Sequence, residues 1–303
     1  MASHQPRVSI GMAIYNDEKF LRPALDSLLA QDFSDFELII SDNASTDGSQ
    51  AISSEYAARD PRVRYHRNET NVGATENFNI AFKLSSGEYF MWAGGHDVWA
   101  PTYISRCLEV LESDKTIVQC CPIAHHMTQD GKDTGIPLFQ IDTRGHGVFV
   151  RGNLTAWGAV YLIFSLIRSD ALRRTRLLRP VMAPDILLGF ELSLLGPFAV
   201  VPELLFFMRD HRGDLSKPPS RAQGAAAYLK RLHPAGKSSF GRFGQLKYRI
   251  EEMRAVKRAP LSFGQRLALM ASVPPSYFMQ FYPWVPGPIR RAMRRVMARF
   301  FKR

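Results

Sequence analysis

Within the first hundred residues, short apolar runs alternate with stretches of helical period. This alternation constrains the fold more than any other feature of the chain. RVSIGMAI (7–14) is short, β-branched and apolar, which suits a buried strand. Residues 18–31 then place Phe20, Leu21, Ala24, Leu25, Leu28 and Leu29 on one helical face. FELIIS (36–41) reads as a second strand. Thr46-Asp47-Gly48-Ser49 reads as a turn and N-cap that opens a helix to about Arg59, with Asp47 as the capping side chain. RVRYHR (62–67) alternates and reads as a strand nearer an edge. GATENFNIAFKLSSG (73–87) reads as a helix closed by Gly87. EYFMWA (88–93) is apolar throughout and reads as a central strand. Strands alternating with helices of about 10–15 residues imply an α/β fold with a doubly wound, mostly parallel sheet. Ligands of such sheets bind beyond the carboxyl ends of the strands. That rule singles out Tyr15-Asn16, Asp42-Asn43 and His96-Asp97.

The second half is less regular. VYLIFSLI (160–167) reads as a strand, and FAVVPELLFFM (198–208) as one or two strands interrupted by Pro202. Beyond Ser216, KPPSRAQGAAAY reads as a linker to basic helical segments. Charge divides at the same place. Residues 1–216 hold 20 Lys/Arg against 26 Asp/Glu, whereas residues 217–303 hold 19 against 2. The expected organisation is an acidic α/β domain over 1–216 and a basic, partly apolar region over 217–303, whose partner is anionic. Three cysteines cannot build a disulfide framework, and Cys120-Cys121 sit in the apolar run IVQCCPIA, so buried free thiols are expected. The N-terminal MASHQPRVSIGMAIYND lacks the charged start and long apolar core of a signal peptide, so a cytoplasmic setting is expected.

Several polar groups at strand ends carry possible chemistry. Asp42 can hydrogen-bond a nucleobase edge or a ribose, or simply serve its turn. In EYFMWAGGHDVWAP (88–101) two glycines allow close approach of backbone to a ligand. The Asp97 carboxylate is a hard oxygen donor for Mg²⁺ or Mn²⁺, and Mn²⁺ also accepts imidazole. The other reading is a solvated loop in which Asp97 caps a helix starting near Pro101. Asp185, beside Pro184 and ahead of an apolar helix, is open to an N-cap or a general base. His211, in Arg209-Asp210-His211-Arg212, is open to a metal ligand, a phosphate donor or a surface histidine.

Four stretches in order, MAIYND (12–17), FELIISDNASTDGS (36–49), GEYFMWAGGHDVWAP (87–101) and APDILLGFELSLLGPFAVVPELLFFMRDH (183–211), together resemble the inverting family 2 glycosyltransferases. The resemblance covers about residues 7–216 and implies a nucleotide-diphospho-sugar transferase (GT-A) fold. It assigns Tyr15 and Asn16 to the nucleobase, Asp42 to a base contact, and His96-Asp97 to a pair that is usually Asp-Asp. The first of that pair commonly meets ribose and the second the metal. Asp185 matches the general base, and His211 the histidine of an Arg-x-His element near the diphosphate. His96 departs from the pattern. The implied activity is single-displacement transfer from a nucleotide-diphosphate sugar, UDP favoured, to a glycan or lipid-linked acceptor, with Mn²⁺ or Mg²⁺ as cofactor. The alternative is a non-catalytic nucleotide-sugar-binding protein in which His96 replaced a needed acid. A nucleotidyltransferase would need a Gly-rich basic loop after the first strand, and AIYNDEKF offers none.

The tail adds a location. Residues 267–289 carry no charge but five prolines, with aromatics suited to an interface. IRRAMRRVMARFFKR (289–303) sets Ile289, Met293, Val296, Met297 and Phe300 on one face and arginines on the other, the pattern of a helix lying on an anionic leaflet. Nucleic acid is disfavoured as the partner because base-stacking modules are missing. The expected location is the cytoplasmic face of a membrane, bound peripherally.

Overall fold

The computed structural model describes residues 5–156, 160–181, 183–210 and 244–271. Four parallel strands open the chain: β1 (Val8–Ile14), β2 (Phe36–Asp42), β3 (Val63–Arg67) and β4 (Tyr89–Gly94). Helices α1 (Glu18–Leu29), α2 (Ser49–Arg59) and α3 (Ala74–Lys83) connect them. Then come β5 (Val98–Trp99), α4 (Tyr103–Ser113), β6 (Gln119–Met127), β7 (Asp133–Pro137), α5 (Val148–Ala156), a 3-10 helix (Val160–Phe164), β8 (Leu166–Arg168), α6 (Ser169–Arg173), α7 (Pro184–Leu195), β9 (Phe198–Arg209) and α8 (Gly244–Arg258). The strands form a nine-stranded mixed sheet in the order β3-β2-β1-β4-β8-β6-β9-β5, with β7 paired to β6. β8 is antiparallel to both β4 and β6, so β4, β6 and β9 all run the same way.

The strand interiors explain why the sheet is covered on both faces. Tyr89, Met91 and Ala93 of β4 face one core with Ile10, Met12 and the inner sides of α1, α2 and α4. Phe90 and Trp92 face the other, where Phe82 of α3 and Leu188 and Leu192 of α7 meet them. Two-sided burial is what a strand without polar alternation demands.

The first hundred residues fold as their pattern indicates apart from the end of α3, and two further differences lie in the second half. Helix α3 ends at Lys83, not at Gly87. Gly87 serves the sheet instead, since a Cβ there would lie 2.6 Å from the backbone nitrogen of Ser9. Of the run 160–167, only the end is strand; Val160–Phe164 is 3-10 helix, whose Leu162 packs into the core that α7 shares. Residues 198–209 form one strand, and Pro202 is absorbed by a register shift against β6. The three cysteines are free and buried.

Helix α8 belongs to the body. Its Ala255 and Val256, with Ala259 just past its end, pack with Phe190 and Leu194 of α7, and its Tyr248 packs on Ile186 and Leu187. Arg258 pairs with Glu191 and Glu251 with Arg176. A boundary at residue 216 therefore does not separate α8 from the fold. Residues 267–271 continue a helix, while the expected amphipathic helix 289–303 and most of 267–289 lie outside the described residues. Among the described residues, no helix is long and apolar enough to cross a membrane.

Candidate active site

The rim of the sheet is set by register. Ile14 pairs with Asp42, and Ala13 with Gly94, so β1, β2 and β4 end level with one another. Tyr15-Asn16, Asp42-Asn43 and His96-Asp97 therefore stand on one edge. Backbone strain concentrates there: Asn16 and Ala44 both have positive φ, 55° and 60°. Asparagine tolerates that region; alanine pays about 1–2 kcal/mol for it.

The rim loops are held by reciprocal bonds. Asp47 accepts from the backbone N–H groups of Ser49 and Glu18, so one carboxylate serves the starts of α1 and α2. Glu18 returns the favour to the Gly48 N–H, and Ser49 Oγ accepts from the Asp17 N–H. Asn16 Oδ1 accepts from the Thr46 N–H at 2.8 Å. Buried Asn77 of α3 donates to the carbonyls of Ile14 and Ser41, tying the ends of β1 and β2 together. These anchors leave Tyr15 45% exposed at the mouth.

Asp42 is wholly buried. Its Oδ1 accepts from the Ser45 N–H at 2.8 Å; its Oδ2 accepts from the Tyr65 hydroxyl at 2.7 Å and from Arg67 at 2.9 Å. Burial and this carboxylate push the Tyr65 hydroxyl up to about 12. As the structure stands, Asp42 fixes Tyr65, Arg67 and the loop after β2.

Two glycines precede His96 because carboxylates crowd them. A Cβ on Gly94 would lie 2.8 Å from Asp97 Oδ2, and one on Gly95 would lie 2.9 Å from Asp17 Oδ2. His96 stands between the two acids, its Nδ1 3.3 Å from Asp17 Oδ1 and its Nε2 3.9 Å from Asp97 Oδ1. Asp97 is buried and its Oδ1 accepts the Arg209 N–H at 2.9 Å. Burial raises its carboxyl above the usual range. Its Oδ2 has no hydrogen-bond partner among the described residues.

Arg209 closes β9 on the same rim. Its guanidinium donates to the carbonyls of His96, Thr128 and Gln129 and lies 4.6 Å from the Phe20 ring centroid. Those partners are neutral, so positive charge is kept beside Asp97.

No group of three or more His, Cys, Asp or Glu among the described residues is arranged to hold a metal ion. A Mg²⁺-type ion needs no such cage when substrate phosphates complete its shell; one or two carboxylates suffice. The unpartnered Oδ2 of Asp97 is a donor atom that fits that role. His211 lies outside the described residues.

Asp185 is in the first turn of α7, buried, and burial lifts its carboxyl to about 6. Only backbone N–H groups, of Ile186 and Asp185 itself, act against that shift. Gly196, past the other end of α7, packs on Thr116 and Val118, beside the amino ends of β6 and β9. Since α7 lies on the sheet through Leu188 and Leu192, its first turn points toward the carboxyl edge, the edge of Asp42 and Asp97.

Asp17, Tyr65, Arg67 and Asn77 were not singled out by the sequence. Asp17 reads as an ordinary helix start. Tyr65 carries no such signal, and for Arg67 and Asn77 the signal is the density of asparagine in RNETNVGATENFN (67–79) at the end of a strand.

Residues 9–158 match the family model "Glycosyl transferase family 2". EpsE of Bacillus subtilis (strain 168), provisionally named a glycosyltransferase, is 33% identical over 111 residues, covering 36% of this chain and 40% of EpsE. WcaA of Escherichia coli (strain K12), provisionally named a colanic acid biosynthesis glycosyl transferase, is 36% identical over 102 residues, covering 34% of this chain and 37% of WcaA. The matched part thus spans about two fifths of these curated relatives. The fold is similar to Staphylococcus aureus TarS 1-349 in complex with UDP (TM-score 0.62, 15% identity, 90% of this chain and 72% of that one). It is also similar to the mannosyltransferase PcManGT of Pyrobaculum calidifontis in complex with GDP-Man and Mn²⁺ (TM-score 0.53, 15% identity, 98% and 81%). These structures share the curled α/β sheet of the GT-A fold.

Proposed function

The chain belongs to glycosyl transferase family 2, and on that premise we propose that it transfers a sugar, with inversion, from a nucleotide-diphosphate donor to a hydroxyl of a glycan or lipid-linked acceptor. The observation that carries the reading is Asp97: a buried carboxylate at the sheet rim, anchored through Oδ1 to Arg209, with Oδ2 unpartnered. Burying an acid in that state costs stability, and a bound cation or ligand offsets the cost.

The nucleoside end lies over Tyr15 and Asn16, with Asp42, Tyr65 and Arg67 setting the floor of the pocket. His96 contacts the ribose, held in place by Asp17. Asp97 would hold Mn²⁺ or Mg²⁺, with His211 as a second ligand. The ion, when bound, neutralises diphosphate charge and improves the leaving group. Arg209 adds positive charge at the same point. UDP is the favoured nucleotide; similar structures bind UDP and GDP-Man.

Transfer needs a base, since an acceptor hydroxyl is not ionised at neutral pH. Asp185 accepts the hydroxyl proton as the oxygen attacks the anomeric carbon. The bond from that carbon to the diphosphate oxygen breaks, and its electron pair leaves with the nucleoside diphosphate. Attack opposite the leaving group inverts the anomeric centre. A carboxyl lifted to about 6 is ionised at neutral pH yet more basic than an ordinary aspartate.

The test is donor turnover with Mn²⁺ across a panel of nucleotide sugars, with and without glycan acceptors. Acceptor-dependent release of nucleoside diphosphate supports the reading. Binding of donor without transfer or hydrolysis points to the non-catalytic alternative.

A further inference from the structure

We propose that the outward face of α8, together with the helix at 263–271, docks on an anionic lipid bilayer. The proposal stands on this surface alone and uses residues other than those of the 289–303 helix. Tyr248, Glu251, Glu252, Ala255 and Val256 turn inward at helical spacing. Among the described side chains of α8, the exposed ones are Leu246, Ile250, Arg254, Lys257 and Arg258. Leu246 is 56% exposed, and Ile250, one turn on, is 42% exposed.

The next helix repeats the pattern. Ser262 and Gln265 cap it reciprocally: Gln265 Oε1 accepts from the Ser262 N–H, and Ser262 Oγ from the Gln265 N–H. Leu269 turns inward, while Phe263 is 82% exposed and Leu267, one turn later, 61%. Nine large apolar residues are prominently exposed among the described residues, and four of them fall within 246–267. The other five are spread from Tyr15 to Phe149, and a concentration of four such residues in one short segment marks an interaction surface.

Charge selects the partner. Residues 217–303 contain two carboxylate side chains, Glu251 and Glu252, and both are buried. Glu251 meets Arg176 and Arg254, and Glu252 meets Arg249. The exposed charges of α8 are therefore all positive. Arg254 and Arg258 reach back to Glu251 and Glu191, while Lys257 stands exposed between them in the sequence. Exposed Leu, Ile and Phe with only cations among the exposed charges beside them suit the acyl boundary of a bilayer whose phosphates meet those cations. Three of the four apolar residues are aliphatic and offer a nucleic acid no stacking platform, and Phe263 is the one aromatic among them. On its inward side Tyr248 packs on Ile186 and Leu187, the residues that follow Asp185. The lipid-facing surface thus lies one helix away from the proposed base, where a lipid-linked acceptor would enter.

The experiment uses the full chain and vesicles of phosphatidylcholine with phosphatidylglycerol, against phosphatidylcholine alone. One variant combines Leu246→Ser, Ile250→Ser, Phe263→Ser and Leu267→Ser. A second replaces Arg290, Arg291, Arg294 and Arg295 with Gln. The expected result is vesicle affinity of the first variant at least about tenfold below wild type, with unchanged melting temperature and nucleotide-sugar affinity. The proposal is overturned if the first variant binds vesicles as wild type does, whether or not the second variant loses binding. It is overturned if wild type binds neither vesicle, or binds phosphatidylcholine alone equally well. It is also overturned if the four substitutions dissociate a dimer in solution. Nucleotide-sugar binding, measured separately, shows whether the transferase reading fails on its own.

Discussion

Asp97 Oδ1 accepts the backbone N–H of Arg209 at 2.9 Å, across 112 residues of sequence. This bond joins the turn after β4 to the end of β9. It holds one carboxylate oxygen and leaves the other without a hydrogen-bond partner among the described residues. A buried acid held this way destabilises the unliganded protein. Asp97→Asn should therefore raise the melting temperature without donor or metal by roughly 2–4 °C, about 1 kcal/mol for a chain this size. Differential scanning fluorimetry checks this, and an unchanged or lower melting point contradicts it.

Asp185 should set the acid limb of activity. A base must be ionised, and burial holds this carboxyl at about 6. The rate constant kcat/KM should fall tenfold per pH unit below about 6. Asp185→Asn should lower turnover by about 10²–10⁴ while nucleotide-sugar affinity stays within a factor of about two. Stability carries the opposite sign. The folded protein binds this proton more tightly than the unfolded chain, so the contribution favours the fold at low pH. It is lost as pH rises from about 4 to about 6, and Asp185→Asn should flatten that slope in urea titrations.

Arg67→Met tests the floor of the pocket. It leaves Asp42 buried without its cation, though Tyr65 and the Ser45 N–H still donate. The expected cost is about 1–3 kcal/mol of stability, with weaker donor binding. A variant as stable as wild type would show that the pair holds nothing in place.

The first hundred residues were legible because their strands are buried on both faces and their helices have one apolar side. Pattern and fold agree wherever local period decides. The rim positions followed from the rule that loops after parallel strands carry ligands, so Tyr15, Asn16, Asp42, His96 and Asp97 could be placed together. The partners of those residues were not legible. Asp17 and His96 are 79 residues apart, and Tyr65 and Arg67 sit on a strand that alternates like any edge strand. Only the register of β1, β2 and β3 brings them in. The 3-10 helix at 160–164 was misread because a short apolar run has no period that separates strand from helix. The docking of α8 was hidden by composition: a basic segment reads as a surface for an anionic partner, yet its two glutamates and Tyr248 turn inward.

That docking makes a further prediction. Tyr248→Ala removes a buried ring from the contact with Ile186 and Leu187 and should cost about 3 kcal/mol. Because those residues follow Asp185, kcat should fall more than donor affinity. Wild-type stability in chemical denaturation would show that α8 is not part of the catalytic body.

The central claim is that the rim around Asp97 receives a nucleotide-diphosphate sugar. Calorimetric titration of UDP- and GDP-sugars into wild type and Asp97→Ala, with and without Mn²⁺, tests it most directly. The account predicts Mn²⁺-dependent binding of at least one such sugar by wild type, weakened tenfold or more, about 1.4 kcal/mol, by Asp97→Ala. Equal affinity of the two proteins in Mn²⁺, or no binding of any nucleotide sugar by wild type, would contradict it.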